Sequence, residues 1–269
     1  MGIEELLAST GIMVLIWAVA AGALLELDEY FIIMSLVSQP IISGAVAGYI
    51  FGDIKTGILL GTLVQLIWMS PPVGAYVPPS SSAIAFLSTA CAIIMADAFP
   101  EAGRNSVFMY SLAAGTGCGY FIGQMDIWNR KLNTRILHLF ENKLLEGKEV
   151  YIHALQGMAI FAKLARDLVF FTVAIVGGIP VAAKIFASLP GELMYALQLS
   201  FWAMPLLGFG VVFVMFTGPV GGRLHGIVLL SSYLVLMFYR EINTGLFLML
   251  LVFAGGFVVY NSVWRRSGA

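Results

Sequence analysis

This chain is poor in charge, in cysteine and in histidine. Of its 269 residues 11% are charged, against 60% that are apolar, whereas a soluble domain carries about 25% charged residues. The formal net charge is −1, which removes the basic surface that nucleic-acid binding requires. Cys91 and Cys118 are the two cysteines. Each sits in an apolar run without a CxxC or His/Cys neighbourhood, so both read as small buried hydrophobes and no metal site is expected. His138, His153 and His225 are dispersed, and neither paired acids nor a nucleophile–base set stands out. No catalytic residues and no cofactor are therefore expected. No basic stretch precedes the first apolar run and no small-residue cleavage site follows it, so a cleaved leader is not expected.

What is abundant is apolar length. A helix needs about 20 apolar residues to cross a hydrocarbon core about 30 Å thick. Residues 6–25, 31–51, 57–69, 83–96, 106–122, 168–186, 195–216, 224–239 and 244–263 are the apolar segments. The expectation is an all-α polytopic membrane protein with about eight to nine such segments, the third and fourth rather short. Three regions are predicted: an N-terminal membrane region 1–124, a basic amphipathic segment 125–167, and a C-terminal membrane region 168–269.

The middle region holds seven of the fourteen Lys and Arg residues: Arg130, Lys131, Arg135, Lys143, Lys148, Lys163 and Arg166. Ile136, Leu137, Leu139, Phe140, Leu144 and Leu145 recur at a helical period, which predicts a helix lying on the membrane surface. The excess of Lys and Arg puts it in the cytoplasm. Trp264-Arg265-Arg266 puts the last residues there too, and the four intervening segments return the chain to the same side. Five preceding crossings would leave the first residues outside.

Polar groups interrupt the apolar pattern between Gly52 and Ser82. Pro71-Pro72 and Pro78-Pro79 do not fit inside a regular helix, and 57–69 is too short to span upright. Irregular backbone at membrane depth is tolerated only against protein or a wet cavity. The stretch 52–82 is thus predicted as a re-entrant hairpin with Tyr76, Ser80, Ser81 and Ser82 at its tip, the form a solute site near the midplane takes. Gln65 lies within an apolar arm, either as glue between helices or as a ligand for hydroxyl groups. Gln39 precedes Pro40 and is steered away from helical backbone. Asp28 is an acid within reach of this region, and equally reads as a solvated helix-end charge. Trp68 and Tyr76 could stack on a sugar ring or mark the membrane interface. Gly44, Gly48 and Gly52, continued by Gly57 and Gly61, predict close helix packing.

GALLELDEY (Gly22–Tyr30), SQPIISGAVAGYIFGD (Ser38–Asp53), KTGILLGTLVQLIW (Lys55–Trp68) and PVGAYVPPS (Pro72–Ser80) follow one another in this chain. Together they resemble the N-terminal signature of membrane subunit IIC of the mannose/fructose/sorbose-type phosphotransferase system. The resemblance implies a sugar permease subunit, not an enzyme, in a bacterial inner membrane. It would work beside a IID membrane subunit, in an oligomer of IIC–IID pairs, with cytoplasmic IIA and IIB components performing phosphoryl transfer. The implied solute is hexose-like, and the implied ligands are Gln65, Ser80, Gln39, Asp28, Trp68 and Tyr76. The family pattern carries an acid where Gln65 stands and an aspartate where Ser80 stands, so this chain departs from it at two positions. A non-transporting scaffold or sensor derived from such a subunit is the alternative.

Overall fold

A computed structural model describes residues 10–30, 36–68, 79–147 and 151–205. The chain forms two compact units, Met1–Trp202 and Ala203–Ala269, and every helix named below belongs to the first. The regular elements among the described residues are all helices, with α1 Ile12–Tyr30, α2 Pro40–Ile50, α3 Ile54–Ile67, α4 Ser81–Ala98, α5 Arg104–Leu145, α6 Ile152–Thr172 and α7 Ile179–Ala187. Among the described residues two stretches are long and apolar enough to cross a membrane, Ser81–Ala98 and Ile152–Ala187. The expected segments 224–239 and 244–263 lie outside the described residues.

The apolar segment 31–51 is broken at Gln39-Pro40, as its sequence predicts. Gln39 has extended backbone at φ −63° and ψ 142°, as a residue before proline should, and α2 begins at Pro40, the position where a missing N–H costs a helix nothing. Gly52 ends the pair's first arm with φ +87°, a conformation that glycine alone adopts cheaply. Asp53 then caps α3, accepting the Thr56 N–H at 3.1 Å.

The result is a tight hairpin of two helices of 11 and 14 residues. They meet through glycine: a Cβ placed on Gly57 would lie 2.2 Å from the Gly44 carbonyl oxygen. The predicted glycine row therefore packs α2 on α3, with one difference. Gly52 serves the turn and not the packing.

A short helix pair thus occupies 40–67, and α3, expected as the first arm of 52–82, is its second helix. The Pro-rich elbow expected at its tip lies mostly in 69–78, outside the described residues. Beyond it, α4 has 18 residues, about 27 Å at helical rise, and so is no short arm. Ser80 makes the difference by capping it: its hydroxyl accepts the Ala83 N–H at 3.1 Å.

The basic interval also differs from the expectation. Residues 125–145 are not a separate surface helix but the continuation of α5, which runs unbroken for 42 residues, about 63 Å. Residues 152–167 open α6. From Thr172 the chain passes through one π turn, Val173–Gly178, into α7. The turn lies just ahead of Pro180, whose ring nitrogen offers no N–H to the preceding turn.

The core sits where α4 is surrounded. Phe86 on α4 meets Phe171 on α6 edge to face, with ring centres 5.7 Å apart, and Phe186, Ile175, Ile122 and Met95 complete a dry cluster. The outer surface is apolar as well. Ile12, Met13, Ile16 and Trp17 on α1 and Val169, Val173 and Val176 around the π turn are exposed, a pattern that hydrocarbon tolerates and water does not.

Candidate functional site

Ser80 is fully buried, and α1 meets it with two acids. The Ser80 hydroxyl oxygen lies 2.5 Å from Glu26 Oε2 and 2.6 Å from Glu29 Oε2. Glu29 Oε1 accepts the Ser81 N–H at 3.1 Å and the Ser81 hydroxyl at 2.9 Å. The Ser80 N–H is donated to the Gly119 carbonyl at 3.0 Å, tying the cap to α5. One serine residue thus joins α1, α4 and α5.

Behind Glu26 stands a buried ion-pair network. The Lys163 ammonium, 1% exposed, lies 3.2 Å from Asp126, 3.1 Å from Asp167 and 3.8 Å from Glu26. Arg166 pairs with Asp126 at 2.7 Å and also with its neighbour Asp167. Charges taken this far out of water are stable only when paired. Lys163 and Arg166, counted among the basic residues of a surface segment, are therefore interior groups.

A second polar group joins α2 to α3. Gln65 donates its amide N–H to Gln39 Oε1 at 2.9 Å, while Gln65 Oε1 is buried without a hydrogen-bond partner. The Ser43 and Ser82 hydroxyls are bonded at 2.7 Å and link α2 to α4. Trp68 caps the C-terminal end of α3, its N–H reaching the Val64 carbonyl at 2.9 Å. Tyr76 lies outside the described residues.

Of the six residues expected at the site, Gln39 and Gln65 are brought together directly. Ser80 is brought to acids, but to Glu26 and Glu29, with Asp28 between them in sequence. At about 100° per residue, Glu26 and Glu29 fall on one side of α1 and Asp28 on another. That i, i+3 spacing was the available signal for the pair. For Lys163 the available signal was Asp167, four residues on along α6, while its other partners, Glu26 and Asp126, lie on other helices.

The far end of α4 has a different character. A cavity of about 400 Å³ lies beside Asp53, Thr56, Asp97 and Arg104. Arg104 bonds both Asp53, at 2.6 Å, and Thr56. It is separated from Ser80 by the length of α4.

Over residues 8–255 the chain matches the family described as the sorbose-specific IIC component of the phosphotransferase system. It belongs to that family. A sorbose-specific EIIC component of Lacticaseibacillus casei is 35% identical over 86 residues, which cover 31% of this chain and 28% of that protein. A solved structure described as a membrane protein has the same fold, with TM-score 0.56 and 20% identity over 96% of this chain and 97% of the other. The mannose transporter ManYZ, solved in complex with microcin E492, aligns with TM-score 0.46 and 19% identity over 94% of each chain. This IIC chain is accordingly a membrane protein whose buried acids, serines and glutamines lie within helices of the family's own sequence region.

Proposed function

We propose that this IIC chain is the solute-binding and translocating subunit of a phosphotransferase-type permease, multi-pass in a bacterial inner membrane, with a hexose-like polyol as its solute. The observation that carries the reading is Gln65. Its amide is half used by Gln39, and its buried Oε1 has no hydrogen-bond partner. A buried acceptor left unpaired costs about 1–3 kcal/mol, a cost that a bound hydroxyl group removes. Neutral amides in place of the family's carboxylate bind hydroxyls through bonds about half as strong as charge-assisted ones, which favours a solute with several hydroxyl groups over one held at a single point.

The chain does not act alone on this reading. A IID membrane subunit completes the path, IIC–IID pairs form the working oligomer, and IIA and IIB components carry out phosphoryl transfer in the cytoplasm. The exposed apolar faces of α1 and of the π-turn region supply surface for a membrane partner as well as for lipid. The segment 69–78 and Tyr76 are assigned to the solute path together with Gln39, Gln65 and Trp68.

Uptake of a panel of labelled sugars by cells carrying the chain with its genomic neighbours tests the reading. Gln65→Ala should weaken binding of the transported solute two- to tenfold, the worth of one hydrogen bond of about 0.5–1.5 kcal/mol, with expression and assembly unchanged. Gln65→Glu should move preference toward the hexoses of the wider family. Unaltered affinity in Gln65→Ala removes Gln65 from the site.

A further inference from the structure

The geometry around Ser80 counts hydrogens. A hydroxyl carries one proton and two lone pairs. One lone pair of Ser80 accepts the Ala83 N–H, and its single proton goes to one carboxyl group. Yet two carboxyl oxygens stand at 2.5 and 2.6 Å, the separation of strong O–H···O⁻ bonds. The second oxygen faces the remaining lone pair, where an anion is repelled and only an O–H is held.

We propose that Glu26, Ser80 and Glu29 form a proton-binding site, with one proton held between the two glutamates through the serine hydroxyl. The partners fix its position. Glu29 accepts at both oxygens, from Ser80 on one side and twice from Ser81 on the other, so Glu29 is the carboxylate. Glu26 is fully buried, and its second oxygen has no hydrogen-bond partner. It stands 3.8 Å from Lys163, which turns to Asp126 and Asp167 instead. The proton therefore sits on Glu26 Oε2 and is donated to Ser80, and Ser80 donates to Glu29.

Charge balance agrees. The groups facing Glu26 are Glu29 on its own helix, Asp126 on α5, and Lys163, Arg166 and Asp167 on α6, while the facing residues of α4 are serines. Four acids against two bases would leave −2 inside the helices. Uncompensated buried charge neutralises by taking up protons, and one proton halves the excess. Release of that proton leaves two anions competing for one hydroxyl hydrogen, so occupancy of the site decides which groups Ser80 and Ser81 can offer to a neighbour.

Infrared spectroscopy of the full chain in lipid nanodiscs, with carbon-13 glutamate, tests this without a solute, so its failure is separate from failure of the permease reading. The expected result at neutral pH is one carbonyl band of a protonated glutamic acid. It should disappear in Glu26→Gln, whose amide copies the shape of the protonated acid, and persist in Glu101→Gln on the exposed surface. Absence of the band in the unmodified protein, in sodium and in potassium buffer alike, overturns the proposal. Sodium retained by fully ionised carboxylates would name a metal cation as the occupant and overturn it too. A band that survives in folded Glu26→Gln places the proton elsewhere and does the same.

Discussion

At the residue scale, the interior of this chain is organised by a few polar side chains whose partners come from distant parts of the sequence. Ser80 was legible as a polar residue at membrane depth because it follows a proline pair at the edge of an apolar segment. Its acids were not, since Glu26 and Glu29 read equally well as solvated charges at the end of an apolar helix. Lys163 is the clearest case. In sequence it adds to a basic interval, and in the structure its ammonium is sealed between Asp126 and Asp167. Removing one partner of a buried pair leaves charge without compensation, at a cost of about 3–5 kcal/mol. Lys163→Met should therefore lower the thermal unfolding midpoint in detergent sharply. Adding Asp167→Asn should recover a large part of the loss, because it withdraws the orphaned anion. If the double variant is no more stable than Lys163→Met, Lys163 is not held by these aspartates.

At the element scale, the glycine spacing foretold the α2–α3 contact, since small residues four apart can only bring one face of a helix close to another backbone. It did not foretell which glycine turns the chain. Gly52 continues the same spacing, but the helix has already ended at Ile50, and Asp53 starts the next one. Hydropathy misjudged lengths for a related reason. It counts apolar residues and passes over the serines of 80–82, although a serine cap begins α4 ahead of its first apolar side chain. In α5 it saw an end where polarity rises after Gly123, while the backbone continues to Leu145. The close approach gives a sharp test. Gly57→Val places side-chain atoms where the Gly44 carbonyl already stands, and overpacking of this kind costs about 1–3 kcal/mol or more. Gly57→Val should lower yield and thermal stability, whereas Gly117→Ala, whose Cβ meets nothing within 4 Å, should change neither. Equal behaviour of the two variants would show that α2 and α3 do not pack through glycine.

At the scale of the whole molecule, the helices set a direction across the membrane. Ser80 bonds to Gly119, so the α4 end that carries the acid site lies level with the middle of α5. From Gly119 to Leu145 is about 39 Å of helix, longer than a hydrocarbon core of about 30 Å, and most of its residues from 130 onward are exposed. That arm carries Arg130, Lys131, Arg135 and Lys143. The bias of basic residues toward the cytoplasm leads us to propose that the arm and the Ser80 end of α4 face inward and the Asp53–Arg104 cavity at the other end of α4 faces outward. Cysteine labelling with a membrane-impermeant maleimide decides this, in a chain where Cys118→Ala removes the half-buried native thiol. Asn142→Cys should react only in inside-out vesicles, and Asp97→Cys, at the exposed far end of α4, only in intact cells. Reaction of Asn142→Cys from outside would invert the molecule and place the Ser80 site toward the exterior. Reaction of both positions from the same side would show that α4 does not carry the chain across, and the two polar sites would then share one face of the membrane.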